Sequence, residues 1–231
     1  MNQARKQTLH FLTQHQHDVP SDERWLTRQE AAVLAGFKFP KRHRDWLLGR
    51  WTAKSALSRL LPAPDRPMTH WQIMADSDGA PMVLEDGRRT DISISLSHSG
   101  DRALCTLSEE PMQMGCDLEL IEARSRAFEE TFFTDFELTL LDQYPGNDRA
   151  RLVTLIWSAK ESALKALRLG LKADTRLVEV KSFGNSLDQN WYGIVVEYRL
   201  NSSKFHGWWC EREGMVMTIL SKHLIDQPIE L

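Results

Sequence analysis

The sequence predicts an α+β fold. Helical periodicity marks one long segment in each half of the chain, and several strand-like runs follow one another with turn-forming residues between them. With 231 residues, 42% of them hydrophobic and 26% charged, the chain is long enough for one large domain or two compact halves with a buried core. We therefore expect residues 1–112 and 113–231 to form an N-terminal and a C-terminal half.

The elements of the first half are predicted in order along the chain. Residues 1–22 are polar and rich in His and Gln, so we expect a weakly structured lead-in. The capping box from Thr27 to Glu30 predicts a short helix, and apolar residues at three- and four-residue steps predict a long helix over 41–61 that Pro62 terminates. Residues 92–96 and 102–107 predict two strands, with Ser97-His98-Ser99-Gly100 as the tight turn between them.

The second half begins with a strand over 113–120. A second capping box, from Thr134 to Glu137, predicts a short helix, and residues 149–169 give the strongest helical pattern in the chain. The remaining strand predictions are 175–183, 190–199, 205–210 and 214–221.

One internal similarity links the halves. WTAKSALSRLL at 51–61 and WSAKESALKAL at 157–167 share Trp, Ala, Lys and the final Leu without gaps. A duplicated unit, whose two copies form a pseudo-dimer, explains this match. Coincidence between two helices rich in Ala and Leu explains it as well, and the sequence leaves both explanations open.

Charge and cysteine content narrow the function. The 29 basic and 32 acidic residues give a net charge of −3, and neither half has the basic excess typical of a nucleic-acid binder, so we expect no nucleic-acid partner. Cys105, Cys116 and Cys210 are too widely spaced for a zinc site and indicate free thiols in a reducing compartment. No apolar run approaches the ~18 residues of a membrane span, and no signal peptide is evident, so we expect a cytoplasmic protein without a membrane partner.

Acidic residues form the first candidate site. Strand alternation places Asp117 and Glu119 on one face, and Glu161 with Lys165 lies on the side of the long helix opposite its main apolar face. Three carboxylates are suitable oxygen ligands for Mg²⁺, and a lysine beside them can neutralise a phosphate. An exposed strand face and a solvated Glu161–Lys165 pair are the alternative, because the sequence does not show that strand and helix meet.

Basic residues form the second candidate site. Residues 38–54 have a net charge of +5, from Lys38, Lys41, Arg42, Arg44, Arg50 and Lys54 against Asp45. Arg and Lys near the start of a helix suit a phosphate, and the hydroxyl groups and the imidazole of Ser97 and His98 can add hydrogen bonds to it. The alternatives are a solvated basic helix start and a structural histidine in a turn.

Taken together, the motifs resemble a known family. SHS at 97–99, GCDLE at 115–119, FFTDFE at 132–137 and WSAKESALK at 157–165, with the basic segment ending in LLGRWTAK, are similar in order and spacing to the 4′-phosphopantetheinyl transferases of the surfactin-synthetase type. The resemblance covers roughly residues 24–172. It implies a monomer of two α+β halves that binds coenzyme A in the cleft between them. It also implies transfer of the phosphopantetheine arm to a serine of an apo acyl or peptidyl carrier protein, with release of adenosine 3′,5′-bisphosphate.

The resemblance also implies roles for individual residues. Asp117, Glu119 and Glu161 correspond to magnesium ligands, and Glu161 also to a residue that helps to deprotonate the serine. Lys165 corresponds to the lysine on the diphosphate and the leaving group. The remaining correspondences are to coenzyme A phosphate contacts, namely Lys41, Arg44, Ser97 and His98, and His98 is also expected to share charge in catalysis. Where many relatives have Gly-Lys-Pro, this chain has Gly79-Ala80-Pro81, so one cation is missing, and Arg88 or Arg89 is a candidate replacement.

Two other functions stay open at this point. A metal-dependent phosphodiesterase or nuclease fits the acidic residues with Lys165, although no basic face supports it. A non-catalytic binder of coenzyme A or carrier protein fits less well, because none of the expected acids is missing. For a carrier-docking surface we expect Arg124, Arg126, Phe132 and Phe133, whose alternative is core aromatics with solvated arginines.

Overall fold

The chain forms two compact units. The structure is a computed structural model and describes residues 7–170, 173–184 and 191–231. The N-terminal unit contains residues 9–111 and 228–231, and the C-terminal unit contains residues 7–8 and the described part of 112–227. The predicted α+β class is confirmed, since both units combine helices with mainly antiparallel sheets. The units differ from the expected halves at the chain ends, where the last four residues belong to the N-terminal unit.

The elements follow one another along the chain with these bounds. The strands are β1 (His10–His15), β2 (Trp71–Ala75), β3 (Pro81–Glu85), β4 (Arg88–Arg89), β5 (Ser93–Ser99), β6 (Arg102–Ser108), β7 (Met114–Leu120), β8 (Val178–Phe183), β9 (Tyr192–Tyr198), β10 (Ser203–Arg212), β11 (Met215–Ser221) and β12 (Ile229–Glu230). The α-helices are α1 (Arg28–Leu34), α2 (Pro40–Leu60), α3 (Arg126–Phe132), α4 (Asp135–Leu141) and α5 (Gly146–Ala166). Short 3₁₀ helices cover Gln16–Asp18, Met68–His70 and Thr175–Leu177.

The N-terminal unit packs α2 against a sheet in the strand order β12-β1-β6-β5. β1 pairs antiparallel with β6 and parallel with β12, and a second sheet has the order β2-β3-β4. Ala53, Ala56 and Leu57 of α2 are buried in the core between helix and sheets. A second apolar cluster gathers Trp25, Leu26 and Leu34 with residues from the first half of α2.

The prediction of a weakly structured lead-in over residues 1–22 is wrong for its described part. β1 lies within that range, and its residues Phe11 and Leu12 are buried. Both pairing partners of β1, which are β6 and β12, lie about ninety residues or more further along the chain, so no local pattern indicates the strand. Residues 1–6 lie outside the described residues.

The C-terminal unit is an antiparallel sheet in the order β7-β11-β10-β9-β8, with α5 packed on β7 and β11. The strand prediction over 113–120 is confirmed as β7, and the second long helix is confirmed as α5, which begins directly after Pro145. α5 is buried on more sides than its apolar periodicity indicates. Ser158, Lys160 and Ser162 are fully buried and have hydrogen-bond partners on neighbouring elements.

The two units share one arrangement. Both predicted capping boxes are confirmed: Thr27 and Glu30 exchange hydrogen bonds at the start of α1, as Thr134 and Glu137 do at the start of α4. In each unit this short capped helix precedes a long helix that packs on the sheet, and the two similar sequences at 51–61 and 157–167 lie in those long helices. This equivalence favours duplication over coincidence as the origin of the match.

Candidate functional site

The acidic site forms where α5 crosses β7, and Gly115 permits their close approach. A Cβ atom at Gly115 would lie 2.1 Å from the carbonyl oxygen of Ser162 and 2.9 Å from Cβ of Lys165. On β11, Thr218 accepts or donates hydrogen bonds with Ser158 and Ser162 of the same helix, at 2.9 and 2.7 Å between the hydroxyl oxygens. The backbone contact and these hydroxyl groups together fix α5 on the sheet.

Lys165 joins the helix to the acidic strand. Its Nζ donates to Asp117 Oδ1 at 2.8 Å and to the carbonyl oxygen of Cys116 at 2.9 Å. Asp117 is 3% and Glu161 4% exposed, so two carboxyl groups are buried beside this ammonium group. The strand and the helix therefore meet, which the sequence alone leaves undetermined.

Glu119 is held in place by Trp157, which belongs to a cluster of aromatic side chains, and by Arg124. Trp157 Nε1 donates to Glu119 Oε1 at 3.1 Å, and Arg124 Nη2 lies 3.7 Å from Glu119 Oε2. The indole of Trp157 packs edge-on against Phe128 and Phe132 of α3, with ring centroids 5.1 and 5.2 Å apart. Trp157 thus covers the polar side of α5 and orients one carboxylate.

Burial and mutual repulsion change the acidity of these groups. Burial, with the charge of Asp117 as the next cause, raises the pKa of Glu161 to about 7 against the opposing effect of Lys165. Burial and Asp117 also raise the pKa of Glu119. For Lys165, the effect of burial is outweighed by Asp117 and other neighbours, and its pKa is raised. These shifts show that the three carboxylates interact, and near neutral pH they place Glu161 between its two protonation states.

The three carboxylates offer the type of ligand atom that a divalent cation binds. Oxygen atoms of carboxylates are the ligands that Mg²⁺ prefers, and Glu161 Oε1 is buried with no hydrogen-bond partner among the residues described. Lys165 and Trp157 already occupy one oxygen each of Asp117 and Glu119. Within residues 7–170, 173–184 and 191–231, no group of three or more His, Cys, Asp or Glu side chains has the arrangement of a metal shell.

A second candidate site lies within the N-terminal unit. A cavity of about 620 Å³ is bounded by α2 and β5. Its basic lining residues are Lys41, Arg42 and Arg50, and Ser97 and His98 face the same space. Phe39 and Trp46 add two aromatic side chains. Cations, hydroxyl groups and aromatic rings in one cavity suit a ligand with phosphate groups and a planar ring system.

Arg50 is the cation of this cavity that the sequence signals least clearly. Its guanidinium lies 4.7 Å from the ring centre of Trp46, and burial lowers its pKa to about 10 against the attraction of Glu30. Arg50 Nε is buried and has no hydrogen-bond partner among the described residues. Helical spacing gives only a weak signal for Arg50, because eight residues at about 100° each place it about 80° around α2 from Arg42.

Some of the predicted phosphate contacts occupy different places. Arg44 is exposed and is not among the lining residues of the cavity, because it lies about 200° around the helix from Arg42. The prediction that Ser97-His98-Ser99 forms the turn is wrong: these residues end β5, and the turn follows at Gly100. Lys54 is fully buried in an ion pair with Glu30, so it does not contribute a cation to an anion site.

Burial and pairing bear on two further expectations. Phe133 is buried in the core of the C-terminal unit, so its predicted place in a docking surface is wrong. Arg126 pairs with Glu130 and Asp142. Arg89, a candidate for the cation missing at Ala80, pairs with Asp76 at 2.9 Å.

Comparisons with known proteins identify the family. A family model described as the 4′-phosphopantetheinyl transferase superfamily matches residues 113–218. A holo-[acyl-carrier-protein] synthase of Streptococcus agalactiae is 36% identical over 83 residues, which are 35% of this chain and 70% of that protein. A putative 4′-phosphopantetheinyl transferase of Synechocystis sp. is 24% identical over 210 residues, 84% of this chain and 83% of that protein. The chain belongs to the 4′-phosphopantetheinyl transferase superfamily and is therefore an enzyme of the transferase class.

Two observations complete the comparison. A solved structure described as apo-ACPS from Chronobacterium ammoiniagenes aligns with 45% of this chain and 96% of its own length, at 19% identity and a TM-score of 0.35. Among the described residues, no helix has the length and apolar character needed to cross a membrane.

Proposed function

We propose that this enzyme transfers the 4′-phosphopantetheine arm of coenzyme A to a serine of an apo acyl or peptidyl carrier protein, in the manner of the surfactin-synthetase type. The observation that supports this most directly is the group of Asp117, Glu119 and Glu161 around Lys165, at the meeting of β7 and α5. The alignment over 84% of the chain with a putative 4′-phosphopantetheinyl transferase supports a member of this length.

Asp117, Glu119 and Glu161 are the residues that would hold Mg²⁺. When bound, the ion supplies positive charge that stabilises the diphosphate of coenzyme A during transfer. Two contacts support this role: Lys165 pairs with the carboxylate of Asp117, and Trp157 orients that of Glu119.

The protein's own groups handle the proton and the leaving group. The serine oxygen forms a bond to the β-phosphorus, and the bond from that phosphorus to the oxygen of adenosine 3′,5′-bisphosphate breaks. Glu161, with a pKa of about 7, suits the acceptance of the serine proton directly or through a water molecule. Lys165 neutralises the charge that develops on the leaving phosphate, and His98 shares that charge in the proposal.

The cavity of the N-terminal unit is the proposed site for coenzyme A phosphate groups. Lys41, Ser97 and His98 line it, and Arg42 and Arg50 increase its positive charge. Arg44 remains a proposed contact of the same ligand, although it does not line the cavity. Planar guanidinium groups bind phosphate oxygens in pairs, and Arg50 Nε is buried without a hydrogen-bond partner among the described residues, so Arg50 is the strongest candidate for a direct contact.

A mass measurement tests the transfer. The protein is incubated with apo carrier protein, coenzyme A and Mg²⁺, and the intact carrier is weighed by mass spectrometry. We expect a gain of one phosphopantetheine on the carrier, none with EDTA, and none on a carrier whose acceptor serine is replaced by alanine. A carrier that never gains this mass, in any of a panel of acyl and peptidyl carriers, would contradict the proposal. Cleavage of a labelled duplex in the same buffer would instead support the phosphodiesterase alternative.

A monomer in a reducing, cytoplasmic compartment is part of the proposal. Cys105, Cys116 and Cys210 are buried and form no disulfide with one another, which is compatible with a reducing compartment. Light scattering of the purified protein tests the oligomeric state.

A further inference from the structure

Two fully buried ion pairs occupy equivalent positions in the two units. Lys54 Nζ lies 2.6 Å from Glu30 Oε2 in the N-terminal unit, and Lys160 Nζ lies 2.6 Å from Glu137 Oε2 in the C-terminal unit. All four side chains are completely inaccessible to solvent. Each member of the second pair lies 106 or 107 residues after its counterpart, in agreement with the duplicated sequence.

Each glutamate joins three elements of its unit. In the C-terminal unit, Glu137 accepts from the backbone N–H of Thr134 at the start of α4 and from the N–H of Val180 in β8, both at 2.9 Å. Its lysine partner also donates to the carbonyl oxygen of Val178 at 2.8 Å. The pair therefore ties α5 to the start of α4 and to β8 through directional hydrogen bonds.

The N-terminal unit repeats the contacts of the glutamate, whereas its lysine donates to a residue that precedes α1 and not to a strand residue. Glu30 accepts from the N–H of Thr27 and of Ile73, both at 2.9 Å, and Lys54 donates to the carbonyl oxygen of Trp25 at 2.9 Å. The residue after the lysine differs between the units. It is Ser55 in the N-terminal unit and Glu161, a residue of the acidic site, in the C-terminal unit.

We propose that the Glu137–Lys160 pair is a positioning device that sets the rotation of α5, so that Glu161 and Lys165 face β7. Both side chains are completely inaccessible to solvent, so neither can contact a bound substrate. Successive helix residues are about 100° apart, so a small rotation at Lys160 moves the next side chain off the strand. The expected effect on the transfer rate rests on the proposed function. The claim that the ion pair sets the rotation of α5 does not depend on it.

The stability of the folded protein does not by itself explain the Glu137–Lys160 pair. Burial lowers the pKa of Lys160 against the attraction of Glu137, which shows that the charged form of the lysine is disfavoured by its surroundings. Buried ion pairs are often replaced by apolar residues of similar size with no loss of stability. The directional contacts of the pair with α4 and β8 are what an apolar replacement does not reproduce.

The indole N–H of Trp157 reports the rotation of α5, because it donates to Glu119 of β7. Its resonance in a proton–nitrogen spectrum is assigned by its absence in Trp157→Phe. The test variant is Glu137→Gln with Lys160→Met, which removes both charges and leaves no buried charge unpaired. The matched control is Glu30→Gln with Lys54→Met in the N-terminal unit.

We expect the test variant to fold, to shift or broaden the Trp157 resonance, and to lower kcat about 10-fold or more with the KM for coenzyme A within about twofold of wild type. The control is expected to leave the Trp157 resonance in place. The proposal is overturned if the folded test variant keeps the wild-type resonance and kcat, or if the control shifts the resonance equally. If the test variant does not fold, the ion pair is a requirement for folding, and this result would also overturn the proposal. If wild-type enzyme transfers no phosphopantetheine, the proposed function fails, while the resonance still decides the positioning role.

Discussion

Lys165 Nζ and Asp117 Oδ1 are 2.8 Å apart, so residues 48 positions apart in the sequence form one charged contact between α5 and β7. Because Asp117 is almost fully buried, the contact neutralises a carboxylate that water does not reach. In the acidic site, Asp117 of the strand and Lys165 of the helix thus hold each other in position, and Glu161 lies beside them.

Removing either buried carboxylate is expected to abolish transfer while the fold persists. Asp117→Ala leaves Lys165 without its carboxylate partner, and Glu161→Ala removes the proposed proton acceptor. We expect kcat to fall by about 10²-fold or more in each, measured by carrier mass, with a cooperative thermal transition retained. Glu130→Ala, at an exposed position of α3, removes the same charge as a control and is expected to keep wild-type rates. Near wild-type activity of either site variant would refute the metal assignment.

The raised pKa of Glu161 predicts a pH dependence of stability in EDTA. The folded carboxyl has a pKa of about 7 against an ordinary value of 4.5, so the folded state binds the proton more tightly than the unfolded state. Glu161 therefore adds most to the free energy of unfolding below about pH 4.5. This stabilisation is lost as the pH rises to 7, at about 1.4 kcal/mol per pH unit at most. Thermal melts of wild type and Glu161→Gln across this range should diverge, with the variant relatively more stable at pH 7. Parallel curves would contradict the raised pKa.

The same pKa predicts the pH dependence of cation binding. A carboxylate must lose its proton to hold a divalent ion, so Mg²⁺ affinity should rise through pH 7. Calorimetric titration at pH 6, 7 and 8 measures this. In Glu161→Gln the slope around pH 7 is expected to be absent.

Gly115→Ala is expected to separate α5 from β7. The new Cβ would lie 2.1 Å from a backbone oxygen of Ser162, and the helix backbone cannot yield without moving. We expect a loss of about 1–3 kcal/mol in the free energy of unfolding, together with reduced transfer. Gly193→Ala in β9 is the control, because a Cβ at that position would meet no atom within 4 Å beyond its chain neighbours. Denaturant unfolding compares the two, and equal stability of both variants would contradict the prediction.

Arg50→Met is expected to weaken coenzyme A binding without destabilising the free protein. Burial lowers the pKa of Arg50, so its charge is disfavoured in the fold, while loss of a charge-assisted contact to phosphate costs about 1.5–3 kcal/mol of binding. The dissociation constant should rise about 10-fold or more for coenzyme A and less for dephospho-coenzyme A if the 3′-phosphate is the contact. Lys38→Met, outside the cavity lining, is the control. Unchanged affinity in calorimetry would remove Arg50 from the binding site.

Trp157→Phe is expected to reduce Mg²⁺ affinity about 10-fold, as for other groups that orient metal ligands. Phenylalanine keeps the packing against Phe128 and Phe132 but lacks the N–H that Glu119 accepts. Calorimetry measures the affinity, and a thermal melt within a few degrees of wild type shows that packing is retained.

Local sequence signals predicted the parts of the fold that depend on near neighbours. Both long helices, both capping boxes and the strand with Asp117 and Glu119 follow from spacing within one element. β1 could not be predicted in this way, because its sequence is largely polar and it pairs with a strand that is distant in the sequence. Lys54 and Arg50 look like similar cations in the sequence, although one is neutralised by Glu30 and the other lines a cavity. That difference arises from tertiary contacts.

The assignment of residues 228–231 to the N-terminal unit affects how the two units can be produced separately. Ile229 donates its N–H to Leu9, and Leu231 to Phe11, so β12 completes one edge of the sheet through β1. A fragment ending at residue 111 would expose that edge of β1, which is a template for aggregation. Fusing the final four residues to such a fragment through a short flexible peptide would protect the edge and make isolated expression of this unit practicable.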